Sequence, residues 1–225
     1  MNIRTSLFAI CSLCLTISCD GMFEGIYDDP IEEQQSEFGF KNTTNIPATE
    51  SMLAYSRGWL YVNTTDYLSW TYIDFDSHNI AKVGVYEEYN DDWDIAIHRY
   101  EVKTNNAKVW KTEYSDFDDL LSLPSLPEGE YLADEWSEDR VAIDLSGILD
   151  FDVKFLPTYV SNVIDWVDVI YPPYPPTYKS HDKIFLIELD NGKRIGIRLE
   201  NYVNKNGVKA YLTLEYVYPF PLDER

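Results

Sequence analysis

Three stretches near the C-terminal end, KIFLIEL (183–189), KRIGIRLENY (193–202) and VKAYLTLEYVY (208–218), decide the fold class. Aromatic and β-branched residues recur in them with a period of two, which is what half-buried strands require. The stretches are separated by Asp190-Asn191-Gly192 and Asn204-Lys205-Asn206-Gly207. Asn-Gly pairs supply the positive φ angles of tight hairpin turns, so the three strands form an antiparallel meander. On the last strand Val208, Ala210, Leu212, Leu214, Tyr216 and Tyr218 are expected to point inward. Lys209, Thr213 and Glu215 are expected to face water.

Working upstream, residues 59–62 and 68–75 read as the first two strands and 93–103 as a longer one. The longer strand carries Trp93, Ile95 and Ile97 on one face and Ala96, His98, Tyr100 and Val102 on the other. Residues 107–114 pair back on it across Thr104-Asn105-Asn106. A short helix fits 116–123, ended by Pro124 and Pro127. The fold class is therefore all-β, a twisted two-sheet or curled antiparallel body with one long loop system over 137–183. That loop system holds Tyr171-Pro172-Pro173-Tyr174-Pro175-Pro176-Thr177-Tyr178. Its prolines lack the ladder donor and exclude a central strand, which leaves a stiff aromatic finger between two apolar strands.

The 225 residues include 18 Lys and Arg against 39 Asp and Glu, a formal net charge of −21. So acidic a chain repels phosphate, which excludes nucleic acid as a partner. A hydrophobic content of 45% is enough to close one core, which excludes a disordered acidic tail as the main body. Residues 1–18 have the form of a secretory signal, with Arg4 ahead of an apolar run too short to span a bilayer. Ser18-Cys19 resembles a loose lipobox, so Cys19 is expected to be acylated and to hold the protein to outer-membrane lipid. Residues 19–48, acidic and polar, read as a tether, and 49–225 as a single β domain. The acidic flank after Cys19 resembles the export flank of surface lipoproteins of the Bacteroidetes. Cys11 and Cys14 lie within the signal, so no disulfide, Cys nucleophile or thiolate metal site is expected.

No Gly-rich phosphate loop, Gly-x-Ser-x-Gly elbow or His-Glu-x-x-His occurs, and an enzyme is not expected. Acid clusters such as Asp74-Phe75-Asp76 lack the Gly and Glu of a calcium loop and read as solvated faces. His98 reads as a satisfied core histidine, His78 as a solvated loop residue and His181 as an exposed turn residue.

Trp93-Asp94-Ile95-Ala96-Ile97-His98-Arg99-Tyr100-Glu101-Val102, then Pro176-Thr177-Tyr178-Lys179, then Tyr216-Val217-Tyr218-Pro219, resemble the HmuY-like family of outer-membrane lipoproteins. The similarity spans roughly residues 45 to 220, in the family's order. It implies an all-β hand whose projecting hairpins grip haem. It also implies a haemophore that takes haem from host proteins and passes it to a TonB-dependent-type receptor. The family's spacing from Trp166 to Thr177 puts one axial ligand on Tyr171, with the other expected within 139–163. The usual ligands are His or Met, and neither occurs from Arg99 through Ser180. Three readings follow. Tyr171 as phenolate binds ferric iron, with Tyr159 opposite. Haem or another porphyrin is gripped by stacking on Trp166, Tyr171, Tyr174 and Tyr178. Or the scaffold serves a glycan, peptide or host protein as a surface adhesion module. The two propionates of haem would need local cations, and Arg99, Lys154, Lys179 and Lys183 are the candidates.

Overall fold

The computed structural model describes residues 38–50, 52–170, 172 and 176–222. The C-terminal meander forms as its pattern predicts. β15 (Ile184–Glu188), β16 (Arg194–Val203) and β17 (Lys209–Tyr218) pair antiparallel in sequence order. β17 continues into β2 (Tyr55–Asn63), and β2 into the edge strand β1 (Gly39–Ile46). β1 lies inside the segment read as tether, so the folded body begins before residue 49. On the far side β15 pairs with β7 (Lys108–Lys111), and β7 with β8 (Leu132–Ala133), which completes a seven-stranded sheet.

A second sheet of four strands has the order β4 (Asn79–Gly84), β3 (Ser69–Asp74), β5 (Ile95–His98), β6 (Glu101–Thr104). Residues 93–103 are thus not one strand. The chain reverses at Arg99-Tyr100, so that His98 faces Glu101 and Ile97 faces Val102. The reversal places Val102 in the same core as Ile95 and Ile97, not on the opposite face. It contains none of the Gly, Asn or Asp residues that mark tight turns, which is why period-two reading runs straight through it. β7 does not pair back on β6 either. The turn at 104–107 carries the chain across to the other sheet, where β7 meets β15.

The two sheets pack face to face. Ile73, Ile95, Ile97 and Val102 from one meet Leu60, Phe185, Ile197, Leu212 and Leu214 from the other in the main core. The seven-stranded sheet is also covered on its other face, where the helix Phe117–Leu121 brings Phe117 and Leu120 against Ile184, Leu186 and Val217. Asp116 caps that helix by accepting a hydrogen bond from the Asp118 amide at 2.7 Å. β15 therefore sends alternate side chains into two cores, and its central residues are all buried.

This second covering overturns the expected exposure of Glu215. It is only 6% exposed. One carboxylate oxygen accepts from Arg57 Nε at 2.8 Å, and the other from Arg198 Nη2 at 2.8 Å. Arg57 pairs in turn with Asp118 on the helix. Removing the charge in Glu215→Gln leaves two guanidinium groups facing a neutral amide inside the fold. It is expected to lower stability by about 3 kcal/mol, read from urea unfolding. Asp118→Asn, at the exposed end of the same network, is expected to cost less than about 1 kcal/mol.

Candidate functional site

Residues 137–183 are not loop alone. They fold into short strand pairs, and β9 (Glu135–Ser137) pairs with β12 (Thr158–Val160). β10 (Ala142–Gly147) and β11 (Asp152–Phe155) form one two-stranded ribbon, and β13 (Val167–Ile170) and β14 (Thr177–Ser180) form another. At the tip of the first ribbon a Cβ on Gly147 would come within 2.3 Å of the Asp152 carbonyl oxygen, so only glycine allows the strands to close there. Ile148–Asp150 forms a single 3-10 turn, after which Phe151 adopts φ 60 and stands 95% exposed. The proline-rich segment connects the two strands of the second ribbon in sequence.

The ribbons and the β5–β6 turn together line a cavity of about 530 Å³, within the range of small-molecule sites. Its walls are apolar. Leu145, Ile148, Phe151, Val153 and Phe155 come from the first ribbon, and Val169 and Pro176 from the second. Its polar side chains come from the turn and its neighbours, namely Tyr67, His98, Arg99, Tyr100, Glu101, Asp139, Arg140 and Tyr178.

The turn is held tightly. Arg99 has φ 56, in the left-handed region that favours glycine, and it is 5% exposed. Its Nη1 donates to the Thr65 carbonyl at 2.8 Å, and its guanidinium lies 4.3 Å from the centre of the Tyr67 ring. Arg140 donates from Nη2 to Glu101 at 2.6 Å, and from Nη1 to Asn162 Oδ1 at 2.5 Å. Burial pushes the Glu101 carboxyl up, and the Arg140 guanidinium pulls it partly back. Behind the turn, Trp166 is fully buried and donates from Nε1 to the Tyr100 carbonyl at 2.8 Å. Tyr178 stacks on Tyr202 with centroids 5.8 Å apart, and Lys209 Nζ lies 4.5 Å from the Tyr178 ring centre.

His98 combines burial with an open valence. A carbonyl can only accept, so its Nε2 must donate to the Tyr67 carbonyl, 2.8 Å away. Its Nδ1 then carries the lone pair and has no partner. Burial lowers its pKa to about 4 and keeps the imidazole neutral.

Of the residues singled out in the sequence, the structure brings Tyr178, His98 and Arg99 to the cavity. Trp166 belongs to the core, and its ring offers no open face to a ligand. Tyr159 sits across from Trp136 on β12, 58% exposed and outside the cavity lining. Tyr171, Tyr174 and Cys19 lie outside the described residues. His181 is half-buried and meets Asp168 at 3.1 Å rather than lining the cavity. Lys154 pairs with Asp144, and Lys183 donates to the Glu113 carbonyl. Neither they nor Lys179 line the cavity, and Arg140 supplies the second cation instead. Arg140 and the whole first ribbon were missed. The available signal was the alternation of Val141 and Ile143 before Gly147, answered by Val153 and Phe155 after it. Among the described residues no group of three or more His, Cys, Asp and Glu is placed to hold a metal ion.

The family model described as HmuY protein matches residues 66–216. No curated protein matches the chain. Among solved structures, a Bacteroides vulgatus protein provisionally described as HmuY-like and heme-binding is 36% identical with a TM-score of 0.72, covering 81% of this chain and 98% of its own. A Bacteroides fragilis protein provisionally described as a lipoprotein is 31% identical with a TM-score of 0.74, covering 84% and 98%. The apo form of an HmuY analogue from Tannerella forsythia shares the fold at 16% identity, with a TM-score of 0.62 over 79% of this chain and 97% of its own.

The buried imidazole makes a pH prediction. A histidine depressed in the fold stabilises it above its unfolded pKa of about 6.5, and that contribution is lost as pH falls through about 4. Asp94, whose carboxyl burial pushes up to about 6, acts in the opposite sense over part of the same window, being stabilised by acid. The His98 effect is therefore expected in a comparison. His98→Gln retains a donor for the Tyr67 carbonyl but does not titrate. Its stability relative to the parent chain should rise steadily between pH 6.5 and 4, measured by denaturant unfolding at each pH.

Proposed function

The chain belongs to the HmuY family, and from that premise we propose that it is a surface lipoprotein that captures haem or a related porphyrin. It is a binding protein with no catalytic step. Acylated Cys19 holds it to the outer membrane, host haem proteins are its source, and a TonB-dependent-type receptor takes the ligand from it.

The observation that carries this reading is the amphipathic cavity between the two ribbons. Porphyrins are flat and apolar with acid groups along one edge. The cavity has a volume of about 530 Å³, with apolar side chains from both ribbons and two cations, Arg99 and Arg140, among its lining residues. The lining residues fit such a ligand, although the family's usual iron donors, His or Met, do not occur from Arg99 through Ser180. Haem, when bound, would supply an iron with affinity for a protein donor. Tyr171, in the connection between β13 and β14, keeps the role that the family spacing implies, as a phenolate donor. Tyr178 supplies an aromatic surface at the cavity wall, and the described ribbon strands exclude water from the ligand's faces. Tyr159, outside the lining, has no part in this reading.

A hemin titration of the purified chain followed by absorbance tests it. A saturable one-to-one change in the Soret band is expected. Tyr171→Phe should abolish a phenolate charge-transfer band and weaken binding about tenfold. No saturable change at micromolar protein would overturn the haemophore reading.

A further inference from the structure

We propose that Phe151, at the tip of the first ribbon, is a ligand-contact residue whose ring lies against the flat carbon face of the porphyrin. This rests on the porphyrin reading and adds to it the side chain by which the first ribbon takes hold of the macrocycle.

Three observations converge on Phe151. The first is its backbone, which at φ 60 and ψ 23 stands in the left-handed region, where a bulky side chain is an outlier. It directly follows the 3-10 turn Ile148–Asp150, and where helical turns end in this conformation glycine is the usual residue, having no Cβ to clash. The second is its ring, which at 95% exposure gains almost nothing from burial within the fold. Two penalties thus fall on one side chain, and packing does not account for a phenylalanine there. The third is its place. Phe151 belongs to the cavity lining, so a ligand that fills the cavity meets the ring that water otherwise surrounds.

The neighbouring residues separate Phe151 from the tip as a whole. Leu149, inside the 3-10 turn, is 66% exposed but does not line the cavity. Val153 and Phe155 do line it, and as alternate residues of β11 they share one face of that strand. Phe151 carries this apolar row past the end of the strand to the tip, and Val169 and Pro176 of the second ribbon line the same cavity. An aromatic side chain in such a row suits a flat conjugated ligand better than an aliphatic one, because offset stacking adds to the area removed from water. The contact is made with the carbon face of the macrocycle. It involves neither the metal nor the acid groups of the ligand.

The test titrates the purified chain, Phe151→Gly and Leu149→Ala with hemin and with metal-free protoporphyrin, followed by absorbance. Glycine suits the backbone at 151, so Phe151→Gly is expected to keep or raise the thermal midpoint, read by circular dichroism, while binding both probes about tenfold more weakly. Leu149→Ala should bind both as the parent chain does. Hydroxyl-radical footprinting of the parent chain needs no variant to fold, and it should find Phe151 oxidised in the free chain and protected at saturating protoporphyrin. Unchanged affinity of Phe151→Gly for both probes, or undiminished oxidation of Phe151 at saturation, would overturn the contact and leave porphyrin capture standing. Binding or weakening confined to hemin would also overturn it, because the effect would then lie at the iron. An equal weakening in Leu149→Ala would overturn it too, assigning the effect to the whole tip. Saturable binding of neither probe by the parent chain would overturn the porphyrin reading and this inference with it.

Discussion

A sheet buried on both faces is the constraint from which the rest of this molecule follows. β15 sends alternate side chains into two separate cores, and β17 adds Val217 to the second, so neither face of the sheet there can be given to water. One face is closed by the four-stranded sheet, and the other by the helix Phe117–Leu121 and the chain end around Phe220. Any charge on these strands must then be neutralised within the fold. Glu215 is, by two arginines from the strands on either side. The interior tolerates the carboxylate because both of its oxygens have donors, the condition under which a buried charge is sustainable.

With the hydrophobic surface satisfied in this way, residues 137–183 are left over. Most of their length adds to neither main sheet. They fold back on themselves as ribbons, fastened to the body through Val160 and Val141 on one side and Trp166 and Val167 on the other. The cavity lies where the ribbons meet the reversal at Arg99-Tyr100. Its polar end is thus made by the rigid body, and its apolar walls by the projecting parts. That division matches how binding proteins commonly place specificity on a fixed frame and contact area on extensions.

Much of the frame was legible in the sequence. The meander with its Asn-Gly turns, the capped helix after Asp116 and the strand on either side of the proline-rich finger each carry a local signal that agrees with the tertiary result. The failures share a cause. At Arg99-Tyr100 the chain turns without turn residues, because tertiary contacts with Thr65, Tyr67 and Trp166 hold the backbone that local chemistry disfavours. At Glu215 the alternation pointed to water, but a helix remote in sequence had already covered that face. At Trp166 an aromatic next to the expected site proved to be its foundation rather than its surface. Arg140 went unnoticed because a single cation among acids has no pattern. It acquires meaning only when Glu101 and Asn162, which the fold brings to it, are seen on either side. Where local preference and final conformation disagree, at the Arg99 turn, the structure also places the cavity.

The ribbons share no ladder with either main sheet among the described residues, nor with each other. Their separation is consequently a hinge problem and not an unfolding problem. Displacing one from the other leaves the hydrogen bonds of both large sheets intact. The local stability of a ribbon is then separable from the global stability of the molecule. A molecule built this way can have a robust body together with projecting parts of lower local stability, because the two are governed by different parts of the chain.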